Sequence, residues 1–572
     1  MRGVGEGLTD QVTVLPHNPL RRRAVVAQDR SASWKGLLLN MVEALAPFLL
    51  SGMLTCGLLL FHAASRHGDG AEKPNFVVIL ADDIGWGDLG ANRGGEKSNN
   101  TPYLDLMAEQ GLRLTDFHSP ASTCSPSRAA ILTGRYGLRN GVTRNFAAGS
   151  VAGLPLSEVT LPQLLQKAGY HTAIIGKWHL GHNGPYGPTS RGFDYYLGIP
   201  YSNDMGCTDV PGHDLPQCPP CDSSEGTRLQ GAARGGCHPK LGLPLMEDTR
   251  IVEQPLDLWT LTERYASAAQ RVIRAARERG QPYFLYMALA HMHVPLAPPL
   301  RPDASDDAGV YAASLREMDR LVGAVKSAAD RDNTLILFTG DNGPWDRKCQ
   351  YAGSVGPFVG KWQTSRGGGS AKQTTWEGGH RVPTVAYWPG RIPANATSSA
   401  LLSGMDVFPT LLSLAGVTPP PDRRYDGIDA TNIFLRGEQQ AGREFLFHPN
   451  SGAAGTFGDL QTVRTGTHKA FYITGAAEAC GGGPTGRPRL HDPPLIFDLR
   501  RGEAEETPLG EETPEYRAAA ERVARGREAL LWDIATDGSA SAADYSTDAA
   551  AVPCCEPTRA ACRCRTHTDT HA

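Results

Sequence analysis

The sequence lacks a large excess of charge of either sign. Its 572 residues include 56 lysines and arginines and 60 aspartates and glutamates, so the formal net charge is -4 at pH 7. General nucleic-acid binding requires a basic face, which this balance does not imply, so we expect no nucleic-acid partner. Internal repeats are also lacking. The charge balance does not exclude an anionic substrate that is held by a few well-placed cations.

The sequence has no histidine pattern that would complete a zinc site. Cys218-x-x-Cys221 has the spacing of zinc ligands, but 12 cysteines in one chain also fit a secretory protein. Cys56 lies in an apolar segment and Cys124 in a motif discussed below. The even number that remains favours a disulfide framework over zinc. These cysteines are Cys207, Cys218, Cys221, Cys237, Cys349, Cys480, Cys554, Cys555, Cys562 and Cys564.

One strongly apolar run, Leu45 to Phe61, stands near the N-terminus and ends in small residues. It predicts a signal peptide over residues 41–65, although a run of this length could also serve as a signal anchor. Residues 1–40 are a polar extension, either disordered or untranslated if synthesis starts at Met41 or Met53. We expect a mature chain that begins near Arg66 and is not embedded in a membrane.

The remaining chain is long enough for one large domain and a smaller one. Four apolar, β-branched runs alternate with helical patterns, which predicts an α/β fold whose large, mainly parallel sheet is flanked by helices over residues 74–440. From 441 to 565 a hairpin pattern predicts a smaller α+β domain built on an antiparallel sheet. The four predicted strands are Asn75–Leu80, Ala173–Ile175, Tyr283–Met287 and Leu335–Phe338.

Polar groups follow each of these strands. Asp82 and Asp83 end the first strand and Asp341 and Asn342 follow the last. Adjacent carboxylates at the end of a buried strand are costly unless a charge neutralises them, and oxygen ligands suit a hard divalent cation such as Ca²⁺ or Mg²⁺. A solvated acidic turn is the alternative. Ligands of parallel sheets bind beyond the carboxyl ends of the strands, where these groups would meet.

Three cations and two histidines complete this set. Arg128, Lys177 and Lys372 suit a tetrahedral oxyanion, and His179 and His293 suit proton transfer. Taken singly, each has a simpler interpretation as a solvated cation or a structural histidine. Together they predict hydrolysis of an anionic ester, either a sulfate or a phosphate.

The stretch around Cys124 runs from a turn at Ser125-Pro126-Ser127 into a helix-prone segment. We expect Ser127 to be the N-cap, which would leave free N–H groups and a positive dipole end near Cys124. With Arg128 one turn away, the thiol would be acidified and aimed at an anion. A buried structural cysteine is the alternative interpretation.

These motifs resemble the signature of the type I sulfatases, whose cysteine is oxidised after translation to formylglycine. The resemblance covers about residues 74–565 and points to the arylsulfatase A-like branch. It rests on Leu-Ala-Asp-Asp-x-Gly-Trp-Gly-Asp from Leu80, Cys-x-Pro-Ser-Arg from Cys124, Gly-Lys-Trp-His-Leu-Gly from Gly176, His-x-His-x-Pro from His291, Gly-Asp-Asn-Gly from Gly340, and Lys372 ahead of Thr-Thr-Trp-Glu-Gly-Gly.

The resemblance implies a sulfatase fold related to alkaline phosphatases and a role for each matching residue. The implied Ca²⁺ ligands are Asp82, Asp83, Asp341, Asn342 and the modified Cys124. Arg128 and Lys177 would stabilise the formylglycine hydrate, and the implied sulfate contacts are Lys177, Ser202, His293 and Lys372. In the implied mechanism a hydroxyl of the hydrate attacks sulfur with Asp341 as base. His293 or Lys372 protonates the leaving alcohol, and His179 deprotonates the remaining hydroxyl to expel sulfate.

The resemblance also implies a biological context. The implied activity is lysosomal hydrolysis of sulfate esters in sulfated glycosaminoglycans, namely the 3-O-sulfate of N-sulfoglucosamine in heparan sulfate, with aryl sulfates as artificial substrates. A formylglycine-generating enzyme is an implied partner during biosynthesis. The implied disulfides lie within 207–237, between Cys349 and Cys480, and within 554–564. Asn395 begins a glycosylation sequon, and Asn99 begins a poorer one because Pro102 follows it.

Two other functions remain open at this point. A phosphohydrolase of the alkaline-phosphatase superfamily would normally use serine or threonine with two zinc ions, which the Cys124 motif does not favour. A catalytically silent glycan-binding protein would be expected to have lost part of the motif set. We expect loops near 183–190, 205–240 and 344–370 to determine substrate preference.

Overall fold

A computed structural model describes the chain from residue 73 onward, and two sheets dominate it. The described residues are 73–92, 101–207, 221, 240–296, 309–330, 332–440, 442–475, 477–482, 488–559 and 562–565. The predicted signal peptide at 41–65 and the sequon at Asn99 lie outside these residues. No helix of the described residues is long and apolar enough to cross a membrane.

The described residues form 17 strands. In chain order they are β1 (Asn75–Ala81), β2 (Leu112–Leu114), β3 (Phe117–His118), β4 (His171–Gly176), β5 (Tyr195–Gly198), β6 (Leu245–Glu247), β7 (Arg250–Gln254), β8 (Tyr283–Ala288), β9 (Thr334–Gly340), β10 (Thr384–Tyr387), β11 (Ala396–Ser398), β12 (Leu402–Ser403), β13 (Phe445–Pro449), β14 (Leu460–Thr465), β15 (His468–Thr474), β16 (Arg489–Asp498) and β17 (Cys564–Arg565).

Eleven α-helices accompany these strands in the same part of the chain. They are α1 (Pro102–Glu109), α2 (Cys124–Thr133), α3 (Gly137–Asn140), α4 (Leu161–Lys167), α5 (Leu261–Glu278), α6 (Gly309–Ala328), α7 (Lys361–Thr364), α8 (Glu377–His380), α9 (Val407–Leu414), α10 (Thr431–Arg436) and α11 (Pro514–Ala535).

The larger sheet has eleven strands in the order β11-β2-β10-β9-β1-β8-β4-β5-β6-β7-β17. Its centre, β9-β1-β8-β4-β5, is parallel throughout. Both outer parts contain antiparallel pairs, such as β10 with β9 and β5 with β6. The four predicted strands are the central β1, β4, β8 and β9, as expected for continuous apolar runs that are buried on both faces.

Alternate side chains of β1 enter two separate cores. Val77 and Ile79 pack in a cluster with residues of α5 and α6, including Ile273 and Met318. Phe76, Val78 and Leu80 pack on the opposite face with residues of α2, α4 and α9. Helices therefore cover both faces of the parallel centre, which accounts for the lack of polar alternation in these strands.

The smaller sheet is antiparallel, in the order β13-β14-β15-β16, and α11 packs against it. Together the two sheets confirm the predicted fold class. β14 and β15 form a hairpin within 441–565, where the sequence has a hairpin pattern.

A buried network of ion pairs joins the smaller sheet to the larger domain. The carboxylate of Glu377, in α8, lies 2.8 Å from Lys469 Nζ in β15 and 2.8 Å from Arg381 Nε. Arg464, in β14, lies 3.4 Å from the same carboxylate and 2.6 Å from Asp116. Burial opposes ionisation of Glu377, but the cations, Lys469 foremost, hold its pKa well below the usual value.

We expect Glu377→Gln to lower the free energy of unfolding by about 3–5 kcal/mol, because it leaves buried cations without their shared counter-charge. Urea unfolding of both proteins, followed by tryptophan fluorescence, measures this loss. The matched control is Glu506→Gln. The Glu506 and Lys361 side chains are 56% and 53% exposed in their ion pair, so this change should cost less than about 1 kcal/mol. Equal losses in the two variants would contradict the prediction.

Candidate active site

Five neighbouring parallel strands end at the same edge of the larger sheet, and each is followed by polar residues. The side chains gathered there are buried. They are Asp341 and Asn342 after β9, Asp82 and Asp83 after β1, His293 after β8, Lys177 and His179 after β4, and Ser202 after β5. The predicted meeting of these residues at one edge follows directly from the parallel arrangement.

Cys124 reaches this edge from α2, and it differs in two ways from expectation. The helix begins at Cys124, after Thr123 in extended conformation, so Ser127 lies inside the helix and is not its N-cap. The thiol is not acidified either. Burial raises the pKa of Cys124, and the negative charge of Asp82 raises it further against the opposing effect of Lys177. The helix dipole and Arg128 are too weak to offset complete burial beside a carboxylate.

Three cations face the carboxylates across the site. Lys177 Nζ lies 2.5 Å from Asp82 Oδ2 and 3.3 Å from Cys124 Sγ. Arg128 Nε donates to Asp341 Oδ2 at 2.8 Å, and Lys372 Nζ lies 2.6 Å from Asp83 Oδ1. Lys177 also lies 3.3 Å from Ser202 Oγ. The structure therefore brings all three predicted cations to the predicted carboxylates.

Buried charge governs the ionisation of these carboxyl groups. Burial opposes ionisation of Asp82, but Lys177, His293 and Arg128 hold its pKa well below the usual value. For Asp341, burial together with the neighbouring charge of Asp82 raises the pKa. Three carboxylates within such a small volume repel one another, so an additional cation would favour the ionised form of all three.

Asn342 gives the clearest indication of a cation site. Its Nδ2 donates to Asp83 Oδ1 at 2.7 Å and to the Gly343 carbonyl at 2.9 Å. Its Oδ1 is buried and has no hydrogen-bond partner in the described residues. A buried carbonyl oxygen without a partner is costly. Beside Asp82, Asp83 and Asp341, this oxygen fits a hard cation, which prefers oxygen ligands.

The two predicted histidines occupy different positions. His293 Nδ1 donates to the Val294 carbonyl at 2.6 Å, so Nε2 faces Ser202 Oγ at 3.5 Å and Asp83 Oδ2 at 3.6 Å. His179 Nε2 donates to the Phe146 carbonyl at 3.0 Å, and its buried Nδ1 has no partner in the described residues. Burial, together with the charges of Lys177 and Arg128, holds the pKa of His179 well below the usual value. His179 is therefore a neutral imidazole with a free lone pair.

Two glycines of the motifs permit close approach of the backbone. Gly176 has φ 121°, and a Cβ atom there would lie 1.9 Å from the Ala288 carbonyl oxygen. A Cβ atom on Gly343 would lie 1.9 Å from the Gly378 carbonyl oxygen. Larger residues would force neighbouring strands or loops apart. These glycines thus set the positions of Lys177 and Asn342, which are their neighbours in the chain.

Three residues beside the site were not predicted individually. Asp204 follows Ser202, and Trp345 and Lys348 follow the Gly-Asp-Asn-Gly motif. The indole of Trp345 lies 5.6 Å from the His293 ring, between centroids. Trp345 and Lys348 fall within the loop at 344–370 that was expected to affect specificity, but no local pattern distinguishes them from other loop residues.

The sequon residue Asn395 lies outside this site. It is exposed just ahead of β11, as glycosylation there would require.

Comparison with known proteins agrees with this geometry. Residues 74–417 match the sulfatase family model, and residues 441–564 match the model for the C-terminal region of aryl-sulfatase. Arylsulfatase G of Rattus norvegicus is 56% identical over 524 residues, covering 90% of this chain and 98% of that protein. Arylsulfatase A of Bos taurus is 36% identical over 509 residues, covering 85% of this chain and 94% of that protein.

A solved structure shares the fold. The crystal structure of the PsFucS1 sulfatase from Pseudoalteromonas sp. superposes with a TM-score of 0.66 at 26% identity, covering 82% of this chain and 92% of that one. The chain belongs to the sulfatase family. As a sulfatase it is a sulfuric ester hydrolase that acts on sulfate esters. Sulfatases generally use a formylglycine nucleophile and a metal ion, and the buried group of Asp82, Asp83, Cys124 and His293 is a candidate metal site.

The cysteines of this sulfatase form disulfides where the structure describes both partners. Cys207 pairs with Cys221, Cys349 with Cys480, Cys554 with Cys562, and Cys555 with Cys564. These pairings agree with the implied regions and favour disulfides over zinc for these cysteines. Cys218 and Cys237 lie outside the described residues. Within the described chain, Cys124 is the one free cysteine.

We expect a divalent cation to raise the unfolding temperature of this sulfatase. A ligand at about 100 times its dissociation constant adds about 2.7 kcal/mol to the stability of the folded state. Asn342→Leu removes the unpartnered Oδ1 and should abolish most of this cation-dependent increase. Differential scanning calorimetry with Ca²⁺ and with a chelator measures it in both proteins. The quantity compared is the difference in unfolding temperature between Ca²⁺ and chelator for the same protein. Loss of the Asn342 hydrogen bonds lowers both temperatures of the variant and does not affect this difference. An undiminished increase in the variant would contradict the assignment.

Proposed function

We propose that this sulfatase hydrolyses sulfate esters of sulfated glycosaminoglycans with formylglycine at position 124 as nucleophile and one Ca²⁺ ion. The proposed natural substrate is the 3-O-sulfate of N-sulfoglucosamine in heparan sulfate, and small aryl sulfates would be artificial substrates. The observation that supports the chemistry best is the position of Cys124. Its Sγ lies 3.4 Å from Asp82 and 3.3 Å from Lys177, at the edge where five strands end.

The state of the Cys124 thiol supports its conversion. A thiol whose pKa is raised by burial contains little thiolate and is a poor nucleophile. Oxidation of the CH₂SH group to an aldehyde, which hydrates to a geminal diol, would supply hydroxyl groups in its place. Cys124 is completely buried, so the proposed formylglycine-generating enzyme has to act before the chain folds. This requirement supports modification during biosynthesis.

The proposed ligands of Ca²⁺ are the side chains of Asp82, Asp83, Asp341, Asn342 and residue 124. Ca²⁺ takes six to eight oxygen ligands, and this oxygen-rich set contains the unpartnered Asn342 Oδ1. When bound, the ion would supply positive charge that favours the anionic sulfate and the ionised form of the nucleophile. The carboxylates otherwise share three cationic side chains, so the bound ion would give the site a net positive charge.

Arg128 and Lys177 are positioned to hold the hydrate of residue 124. Arg128 is itself fixed, because it donates to Asp341 at 2.8 Å and to the Lys177 carbonyl at 2.7 Å. Lys177 Nζ reaches both Asp82 and position 124. Donors that are fixed before the reaction need no reorganisation as negative charge develops, and this is the main source of electrostatic stabilisation in enzymes. Asp341 would accept the proton of the attacking hydroxyl.

Lys177, Ser202, His293 and Lys372 are the proposed contacts of the sulfate. Ser202 Oγ lies between Lys177 Nζ at 3.3 Å and His293 Nε2 at 3.5 Å. Lys372 Nζ is held near His293 because both contact the carboxylate of Asp83. Either His293 Nε2 or Lys372 Nζ could donate a proton to the leaving alcohol, since each carries one when charged.

His179 is the proposed base that releases sulfate from residue 124. Its free Nδ1 can accept a proton because Nε2–H is engaged by the Phe146 carbonyl. Ser125, next to Cys124, donates to the His179 carbonyl at 2.6 Å and thereby links the two residues. The positive φ of 56° at His179 is an uncommon conformation for a residue other than glycine. Such strain is typical of functional positions.

We propose delivery to the lysosome through the secretory pathway and glycosylation at Asn395, with Asn99 as a second sequon. The four disulfides of the described chain support passage through an oxidising compartment. Asn395 is accessible, and its backbone N–H donates to the Glu109 carbonyl at 2.8 Å, which leaves the side chain free for a glycan.

Mass spectrometry of the tryptic peptide Leu114–Arg128 tests the nucleophile. In protein secreted by cells that contain the modifying enzyme, we expect a peptide in which an aldehyde replaces the thiol and which reacts with a hydrazide. Protein from cells without that enzyme, and a Cys124→Ala variant, are the controls, and both should be inactive towards an aryl sulfate. An alkylatable Cys124 thiol in folded, active protein would refute the formylglycine mechanism. The same thiol in folded, inactive protein would favour a glycan-binding role.

A further inference from the structure

An indole ring next to the proposed sulfate contacts lies close to two lysines. Lys372 Nζ lies 4.7 Å from the centroid of the Trp345 ring, and Lys348 Nζ lies 4.3 Å from it. Both distances are within the range of cation–π contacts. The two ammonium groups differ in their other partners. Lys372 is neutralised by Asp83, whereas Lys348 forms no ion pair with the described residues.

The loop that carries Trp345 and Lys348 is held firmly. Cys349, the residue after Lys348, forms a disulfide with Cys480, and Arg347 forms an ion pair with Glu478. The carboxylate of Asp346 accepts the backbone N–H of Ser370 at 3.1 Å. Asp346, Arg347 and Cys349 are therefore each held by a contact, and Lys348 lies between two of them in the chain. The backbone of such a loop needs little further ordering when a ligand binds.

The remaining backbone contacts connect this loop directly to the sulfate site. Lys372 N donates to the Pro344 carbonyl at 3.0 Å, and Lys348 N donates to the Trp345 carbonyl at 2.8 Å. The ring of Trp345 also faces that of His293, at 5.6 Å between centroids. Trp345 thus lies next to two proposed sulfate contacts, and Lys348 lies one side chain farther from the reacting centre.

Asp204 is a carboxylate whose charge acts on Lys348. Asp204 has a buried Oδ1 without a hydrogen-bond partner in the described residues. Burial favours its neutral form, but His293, with smaller contributions from Lys177 and Lys372, holds the pKa of Asp204 below its usual value. Burial lowers the pKa of Lys348, and the charge of Asp204 opposes this effect, so the two side chains interact electrostatically. Asp204 therefore favours the charged form of Lys348.

We propose that Trp345 and Lys348 form a subsite for the leaving-group side of the substrate, in which Lys348 binds a second anionic substituent of the sulfated sugar. Trp345 supplies apolar surface for the sugar ring next to the Lys348 ammonium group. A contact between Lys348 and the second anion would orient the substrate in the site. The inference rests on the proposed function, because it requires a sugar substrate with more than one negative charge.

The second anion has two possible sources, which share the same chemistry. It is either an N-sulfate on the ring that carries the reacting ester or a carboxylate on the neighbouring sugar. A monoanionic aryl sulfate has no group for Lys348 to bind. An N-sulfated sugar, a uronate-linked sugar and an aryl sulfate therefore distinguish two roles of Lys348. It contacts either a second anion or the reacting sulfate.

Kinetics of Lys348→Met test the proposal. For a uronate-linked disaccharide of 3-O-sulfo-N-sulfoglucosamine, which carries both possible anions, we expect kcat/KM to fall roughly 10- to 100-fold, as for loss of one charged hydrogen bond, mainly through a higher KM. For 4-nitrophenyl sulfate, kcat/KM should stay within about twofold, which also verifies that the variant folds and is modified. Lys348→Arg should restore most of the loss. Lys361→Met, at a largely exposed lysine of α7, should leave both activities unchanged.

Two further substrates, the monosaccharides 3-O-sulfo-N-sulfoglucosamine and 3-O-sulfo-N-acetylglucosamine, identify the source of the anion. If it is the N-sulfate, the 3-O-sulfated N-acetylglucosamine should respond to Lys348→Met no more than the aryl sulfate does. If it is a uronate carboxylate, the response should appear only with a uronate-linked disaccharide.

Three results would overturn the inference. Equal losses for all substrates would place Lys348 at the reacting sulfate, and no loss for any sugar would show that it does not contact the substrate. A wild-type enzyme that turns over the aryl sulfate but none of the sugars would refute the proposed substrate class, and the subsite with it. By contrast, the second result, in which wild type and variant turn over the sugars equally well, would refute only the subsite and not the substrate class.

Discussion

Compensation of buried charge is the constraint on which the rest of this site depends. Asp82, Asp83 and Asp341 are placed in the interior by the ends of β1 and β9, where a carboxylate without a partner would be very costly. Arg128, Lys177 and Lys372 approach from three other segments and make that placement possible. The parallel sheet is therefore more than a scaffold, because its geometry brings opposite charges from distant parts of the chain within contact distance. Next to these charges, Asn342 Oδ1 has no hydrogen-bond partner in the part of the chain that the structure describes.

The sequence predicts much of this arrangement, because the relevant signals are local. Continuous apolar runs identify β1, β4, β8 and β9, and the polar groups that follow them must meet at one edge of a parallel sheet. The short outer strands escape prediction, since two- to four-residue strands such as β2, β6 and β11 are formed by their partners and not by a pattern of their own. Disulfide pairing likewise depends on tertiary proximity, which spacing alone does not determine.

The two incorrect expectations at Cys124 have related causes. The start of α2 depends on the extended backbone of Thr123, which tertiary contacts favour: the Thr123 hydroxyl donates to the Ser451 carbonyl at 3.2 Å. The pKa of the thiol depends on complete burial beside Asp82, which lies 42 positions away in the chain. Neither fact can be read from the residues around Cys124. Asp204, Trp345 and Lys348 were not predicted for a similar reason, because their importance follows from where they lie relative to His293 and Lys372.

The disulfide between Cys349 and Cys480 spans 131 residues and ties a loop beside the site to the segment between β15 and β16 of the smaller sheet. The chemical groups at the strand ends do not depend on this link, whereas the residues next to Cys349 do. Within a lineage of such enzymes, changes in the C-terminal module could therefore alter which molecules are accepted while the reaction itself is preserved. Substrate selectivity could then change through the smaller C-terminal domain while the catalytic residues stay in place.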